Sequence, residues 1–84
     1  MTSVTEYVRE ALTRFVALYP SRDDGTRDPA RPVREYAQEL LEGQPTVDDL
    51  LTVAAEISAV LPNDPRAHAL REIWYRELTA LDQA

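Results

Sequence analysis

Cysteine and lysine are both absent from this 84-residue chain, which also has only two glycines, one histidine and one methionine. Without thiols, neither a disulfide framework nor a thiolate metal site can form, and redox chemistry at cysteine is excluded. Because every cation is an arginine, positive charge comes as a planar fork suited to paired contacts. Gly25 and Gly43 stand alone, so there is no glycine-rich phosphate loop. Nowhere do 18 apolar residues follow one another, and the start, Met1-Thr2-Ser3-Val4-Thr5-Glu6, has no basic region leading into an apolar run. The expectation is a cytoplasmic protein with no membrane span.

Positive charge is missing from one whole segment. Between Arg34 and Arg66 there is no basic residue, while Glu35, Glu39, Glu42, Asp48, Asp49, Glu56 and Asp64 all fall there. Residues 1–34 carry one net positive charge, the middle carries seven unopposed negatives and residues 66–84 are neutral, which together make the formal −6. An acidic block on a near-neutral scaffold fits a basic protein or peptide partner, and it also serves solubility.

What is present is apolar spacing at the helical period, divided by strong punctuation. A chain of this length makes a single domain, 1–84, too small for a deep, enclosed pocket. Ser3 with Glu6 reads as a capping box, and Val4, Val8, Ala11, Phe15 and Leu18 then share one stripe until Pro20 stops it. A polar loop follows over 20–29. The second helix starts either at Asp28 and Pro29 or near Pro32, carries Val33, Tyr36, Ala37, Leu40 and Leu41, and ends at Gly43, where a left-handed cap is expected. Thr46 caps the third, with Asp48 and Asp49 at the positive end of its dipole; Val47, Leu50, Leu51, Ala54, Ile57, Ser58 and Leu61 form its stripe, and Val53 and Val60 fall outside it. Pro62-Asn63-Asp64-Pro65 stops that helix and starts the fourth, whose inner face is Ala67, Leu70, Ile73, Trp74, Leu78 and Leu81. Helices are thus expected at about 4–19, 30–42, 47–61 and 65–81. The expected fold is all-α, a single-domain antiparallel four-helix bundle, since short connections favour antiparallel neighbours.

Catalytic constellations are thin. His68 has Asp64 four residues before it and Glu72 four after, on one helix face, which raises the alternative of a small metal-binding or enzymatic bundle. A metal site needs ligands converging from separate elements, and exposed pairing explains the spacing as well. Glu35, Glu39 and Glu42 line one side of helix 2 but lack the Glu-x-x-His pairs of di-metal bundles. Ser3, Ser21 and Ser58 have cap, loop and packing explanations. No catalytic residue, cofactor or metal is therefore assigned, and the protein is expected not to be an enzyme. Nucleic acid is disfavoured as a partner, because helix 3 carries Asp48, Asp49 and Glu56 and no arginine. Arg22, Arg27, Arg31 and Arg34 alternate with Asp23, Asp24, Asp28 and Glu35 and read as a self-paired loop.

Trp74 and Tyr75 are adjacent and point about 100° apart, so one narrow stripe cannot bury both. The surplus, with Val53 and Val60, leaves a symmetric homodimer as one way to cover it. The helix order, the stretch from Val33 to Leu41 closing in Glu42-Gly43, the amphipathic run from Leu50 to Leu61 and the final Leu70-Arg71-Glu72-Ile73-Trp74-Tyr75-Arg76-Glu77-Leu78 resemble the small four-helix bacteriocin immunity proteins of the enterocin A type. The resemblance implies a non-enzymatic cytoplasmic bacterial protein that protects its producer from a peptide toxin. The sequence reading is therefore a non-catalytic protein-interaction domain, whether immunity protein, inhibitor or small adaptor. Its expected contact residues are Glu35, Glu39, Glu42, Asp48, Asp49, Glu56, Trp74 and Tyr75. A structural subunit of a larger assembly is the other alternative.

Overall fold

The computed structural model describes residues 3–20 and 28–82, and over these the protein is all-helical. Four helices follow one another: α1 (Val4–Leu18), α2 (Arg31–Glu42), α3 (Val47–Val60) and α4 (Pro65–Asp82). Each boundary lies within one residue of the sequence expectation, because the signals that set it are local. The Ser3 hydroxyl accepts from the Glu6 N–H at 3.1 Å. Thr46 and Asp49 form a reciprocal capping box, with the Thr46 hydroxyl accepting from the Asp49 N–H at 3.2 Å and the Asp49 carboxylate from the Thr46 N–H at 2.9 Å. Each satisfies donors that a helix start leaves orphaned.

The start of α2 settles between the two expected forms, and its end differs from expectation. The helix takes the later start, with Ala30 at the N-cap, Pro32 in the first turn, and Asp28 closing a turn by accepting from the Arg31 N–H at 3.2 Å. At its other end Gly43 has φ −112°, outside the left-handed region. The reason lies in α1: the Arg9 guanidinium donates to the Gly43 carbonyl at 2.6 Å and the Leu41 carbonyl at 2.9 Å. A cationic fork on the negative end of the helix satisfies carbonyls that a left-handed cap would otherwise serve.

Helices α1 and α3 each pack against all three others, while α2 and α4 do not meet. Central and flanking helices therefore bury arcs of different width. On α3 the arc includes Val53, fully buried beside Leu50, Ala54 and Ile57, which corrects the expectation that Val53 lies outside the stripe; Val60 is exposed. On flanking α4 only Ala67, Trp74 and Leu78 are buried, and Ile73, expected inside, is 44% exposed. Phe15 joins the two sides of the core, its ring 5.3 Å from Tyr19 and 6.2 Å, edge-on, from Trp74.

One charged residue belongs to this interior. Arg34 is 4% exposed; it donates to the Tyr19 carbonyl at 2.9 Å and to the Asp28 carboxylate at 2.7 Å. Its pairing with Asp28 falls within the self-paired cluster expected from the sequence, and its bond to the Tyr19 carbonyl ties the end of α1 to the approach of α2. Arg31 does pair locally, with Glu35 at 3.1 Å in an exposed i,i+4 bridge. Arg22, Arg27 and the expected pairing of Asp23 and Asp24 lie outside the described residues.

Candidate functional site

The acidic face is built by two helices and shaped by one phenol. On α2, Glu35, Glu39 and Glu42 recur at spacings of four and three and are exposed, while Val33 and Ala37 anchor the opposite side. On α3, Asp48 and Glu56 are exposed and Asp49 is half-buried. Tyr36 stands half-buried between the helices. Burial raises its pKa above the ordinary phenol value, and the charges of Asp49, Glu56 and Glu39, in that order, add to the shift. The field of carboxylates on both helices thus reaches a single phenol.

Among the described residues, only Glu35 of these six acids has a salt-bridge partner. Asp49 is occupied by its backbone role as a cap. Glu39, Glu42, Asp48 and Glu56 are left as uncompensated charge on the surface. Asp64, the seventh acid of the block, is drawn away to the opposite end of α3. There it accepts from the Tyr19 hydroxyl at 3.2 Å and the Arg66 N–H at 2.9 Å, capping α4. Burial alone would push its carboxyl up, but the hydrogen bonds from the Arg66 N–H and Tyr19, the Arg66 charge and the Ala67 N–H hold it below the usual carboxylate range.

The two aromatics expected at this surface separate. Trp74 is buried against Phe15 and takes no part in it. Tyr75 is 65% exposed and lies over the α3–α4 groove with Leu51 and Ala55, on the other side of α3 from the Tyr36 cluster. Its neighbour in sequence thus fills the core, as their 100° separation requires.

The His68 constellation resolves into three unrelated contacts. His68 meets the Ser58 hydroxyl through Nδ1 and the Pro62 carbonyl through Nε2, both at 2.6 Å, so the ring stitches the end of α3 to the start of α4. The Pro62 carbonyl can only accept, which makes Nε2 the protonated nitrogen. Asp64 caps α4 and Glu72 pairs with Arg76 at 3.1 Å. Among the described residues no three His, Asp or Glu side chains converge as metal ligands, and no helix is long and apolar enough to cross a membrane.

Two contacts of the assembled fold were not foreseen: the Arg9 cap on α2 and the buried Arg34. The first spans more than thirty residues of chain and leaves no local signal. The second was signalled only by the position of Arg34 next to buried Val33 and three residues before buried Ala37, on the inner side of α2. Comparison with known proteins found no matching family model, no curated relative and no solved structure that matches the chain.

Proposed function

We propose that this protein is a non-catalytic helical interaction domain that presents the α2–α3 face to a basic protein or peptide, in the manner of an immunity protein, inhibitor or small adaptor. The observation that carries the reading is the exposure of Glu39 and Glu42 on α2 and of Asp48 and Glu56 on α3, none of which has a salt bridge among the described residues. A half-buried tyrosine amid carboxylates suits a cationic partner twice over, through charge and through the ring. The contacts along the helices support an antiparallel arrangement of neighbours: Tyr7 near the start of α1 reaches Glu77 near the end of α4, and Tyr19 just past α1 reaches Asp64 just before α4.

Long-range attraction chiefly accelerates encounter, and salt screens it over roughly 8 Å at physiological ionic strength. A partner recovered from the native extract should therefore associate more slowly as salt rises. Replacing Glu39, Glu42 and Glu56 with Gln should lower the on-rate by about tenfold while helix content stays unchanged, since Gln and Glu have similar helix propensities. Stopped-flow association rates decide the matter: a partner indifferent both to salt and to the triple Gln change would mean that the acidic face serves solubility alone.

A further inference from the structure

Ser58 uses its hydroxyl differently from other hydroxyls in the helices. Thr13, Thr52 and Thr79, inside α1, α3 and α4, each donate to the carbonyl four residues back at 2.8–2.9 Å, the usual local use of a helical hydroxyl. Ser58, inside α3, instead meets His68 Nδ1 of α4 at 2.6 Å. The ring's other nitrogen is committed, because Nε2 holds its hydrogen against the Pro62 carbonyl at 2.6 Å. In the neutral ring Nδ1 therefore carries the lone pair, and the Ser58 hydroxyl is the donor. A hydroxyl aimed at an imidazole lone pair, with the imidazole oriented by a third group, is the arrangement that activates a serine nucleophile. Ser58 is half-buried and His68 is exposed, so the pair opens to solvent. It also adjoins a groove of about 510 Å³ between α3 and α4, to which His68 contributes. Ser58 continues the Leu51 and Ala55 side of α3, at spacings of four and three. Leu51, Ala55 and Tyr75 give the groove apolar walls. Of its charged lining residues, Glu72 is paired with Arg76, while Arg71 has no salt bridge among the described residues and leaves positive charge along the groove.

We propose that Ser58 is an acylation site, which takes the acyl group of an activated ester, a thioester or aryl ester, of a small apolar carboxylic acid. Ser58 Oγ forms a bond to the acyl carbon while its proton passes to His68 Nδ1. The bond from the acyl carbon to the leaving oxygen or sulfur then breaks, and the leaving group departs with that electron pair and takes the proton from Nδ1. The Pro62 carbonyl keeps the other ring N–H in place throughout. Arg71 supplies positive charge for the oxyanion that exists between the two bond changes, and the apolar groove receives the acyl chain. The product is a single ester on Ser58. Such a mark needs no turnover, so it is independent of the interaction role proposed for the acidic face.

Incubating the intact chain with p-nitrophenyl butyrate tests this, and the absence of lysine removes the side-chain amines that such reagents otherwise label. The wild type should release a burst of one equivalent of nitrophenol, and peptide mapping by mass spectrometry should place the butyryl group on Ser58. Ser58→Ala should abolish the burst. His68→Asn can still accept a hydrogen bond from Ser58 but cannot take its proton, so it should slow acylation roughly a hundredfold or more. Arg71→Met should slow it roughly tenfold, less than the loss of an enclosed oxyanion donor, because Arg71 is exposed. Circular dichroism verifies that each variant is folded; His68→Gln replaces His68→Asn if the latter is not. A wild type that takes no label overturns the proposal, as does one labelled only at the N-terminal amine, a tyrosine or His68. So does labelling of Ser58 that proceeds unchanged in the folded His68 variant.

Discussion

Carboxylates on the two sides of this molecule meet different fates. On α1 and α4, Glu10 pairs with Arg14 at 2.6 Å, Glu72 pairs with Arg76 and Glu77 accepts from the Tyr7 hydroxyl, while Glu6 and Asp82 have no salt bridge among the described residues. On α2 and α3, only Glu35 has a salt bridge, and Glu39, Glu42, Asp48 and Glu56 have none among the described residues. Stability does not explain the contrast, because exposed i,i+4 pairs contribute only about 0.3–0.5 kcal/mol each. What pairing changes is the field outside the protein. One side carries balanced charge, and the other is left negative. Two surfaces of different charge fit on one small scaffold because α2 and α4, which do not touch, flank a shared α1–α3 centre.

Removing the core link between the sides should have the largest effect. Phe15→Ala should cost about 3–5 kcal/mol by urea denaturation followed by circular dichroism, since Phe15 is buried against both Tyr19 and Trp74. That is a large part of the stability of a domain this size. Arg34→Met should come next, at about 3 kcal/mol, because it removes a buried guanidinium together with its bonds to the part-buried Asp28 carboxylate and the Tyr19 carbonyl. If Arg34→Met melts like the wild type, the ion pair is incidental and the end of α1 is held by apolar packing alone.

A smaller loss should appear with acid. The Asp64 carboxyl titrates below its ordinary value in the folded state, so its contribution is full above the unfolded value near 3.8 and disappears as pH falls through the folded one. Asp64→Asn should therefore flatten the decline in melting temperature below pH 4, measured against the wild type across that range. Smallest of all should be Glu39→Gln, Glu42→Gln and Glu56→Gln together, which should shift stability by no more than about 0.5 kcal/mol, and upward if at all, by relieving repulsion. A marked loss would show that these carboxylates hold the fold after all and would erase the contrast between the two sides.

The helices were legible in the sequence because caps and prolines act within a few residues of where they stand. Thr46 and Asp49, or Asp64 and Pro65, announce a helix start whatever packs against it. The acids of the α2–α3 face were legible for the same reason, since spacing alone places Glu35, Glu39 and Glu42 on one side of α2. What was hidden depended on neighbours. Val53, read outside its stripe, is buried because α3 is central, and Ile73, read inside, is exposed because α4 is not. Gly43 suggested a left-handed cap until Arg9 arrived from another helix to do that work. Tyr36 was visible as a boundary aromatic, but the charge that α3 adds to its surroundings required α2 and α3 to be assembled.

Only Val33, Arg34 and Ala37 of the twelve residues in α2 are fully buried. Arg31, Pro32, Glu35, Gln38, Glu39 and Glu42 face water along the rest of the helix. The helix meets the fold through the three buried residues and through half-buried Tyr36, Leu40 and Leu41 beside them, and only the six exposed positions are free to vary. A lineage under pressure to follow a changing partner could rewrite that outer arc residue by residue without refolding anything. The same latitude makes α2 the natural site for a library of binding variants: diversify the six exposed positions, keep the three buried ones, and the scaffold should persist while its specificity drifts.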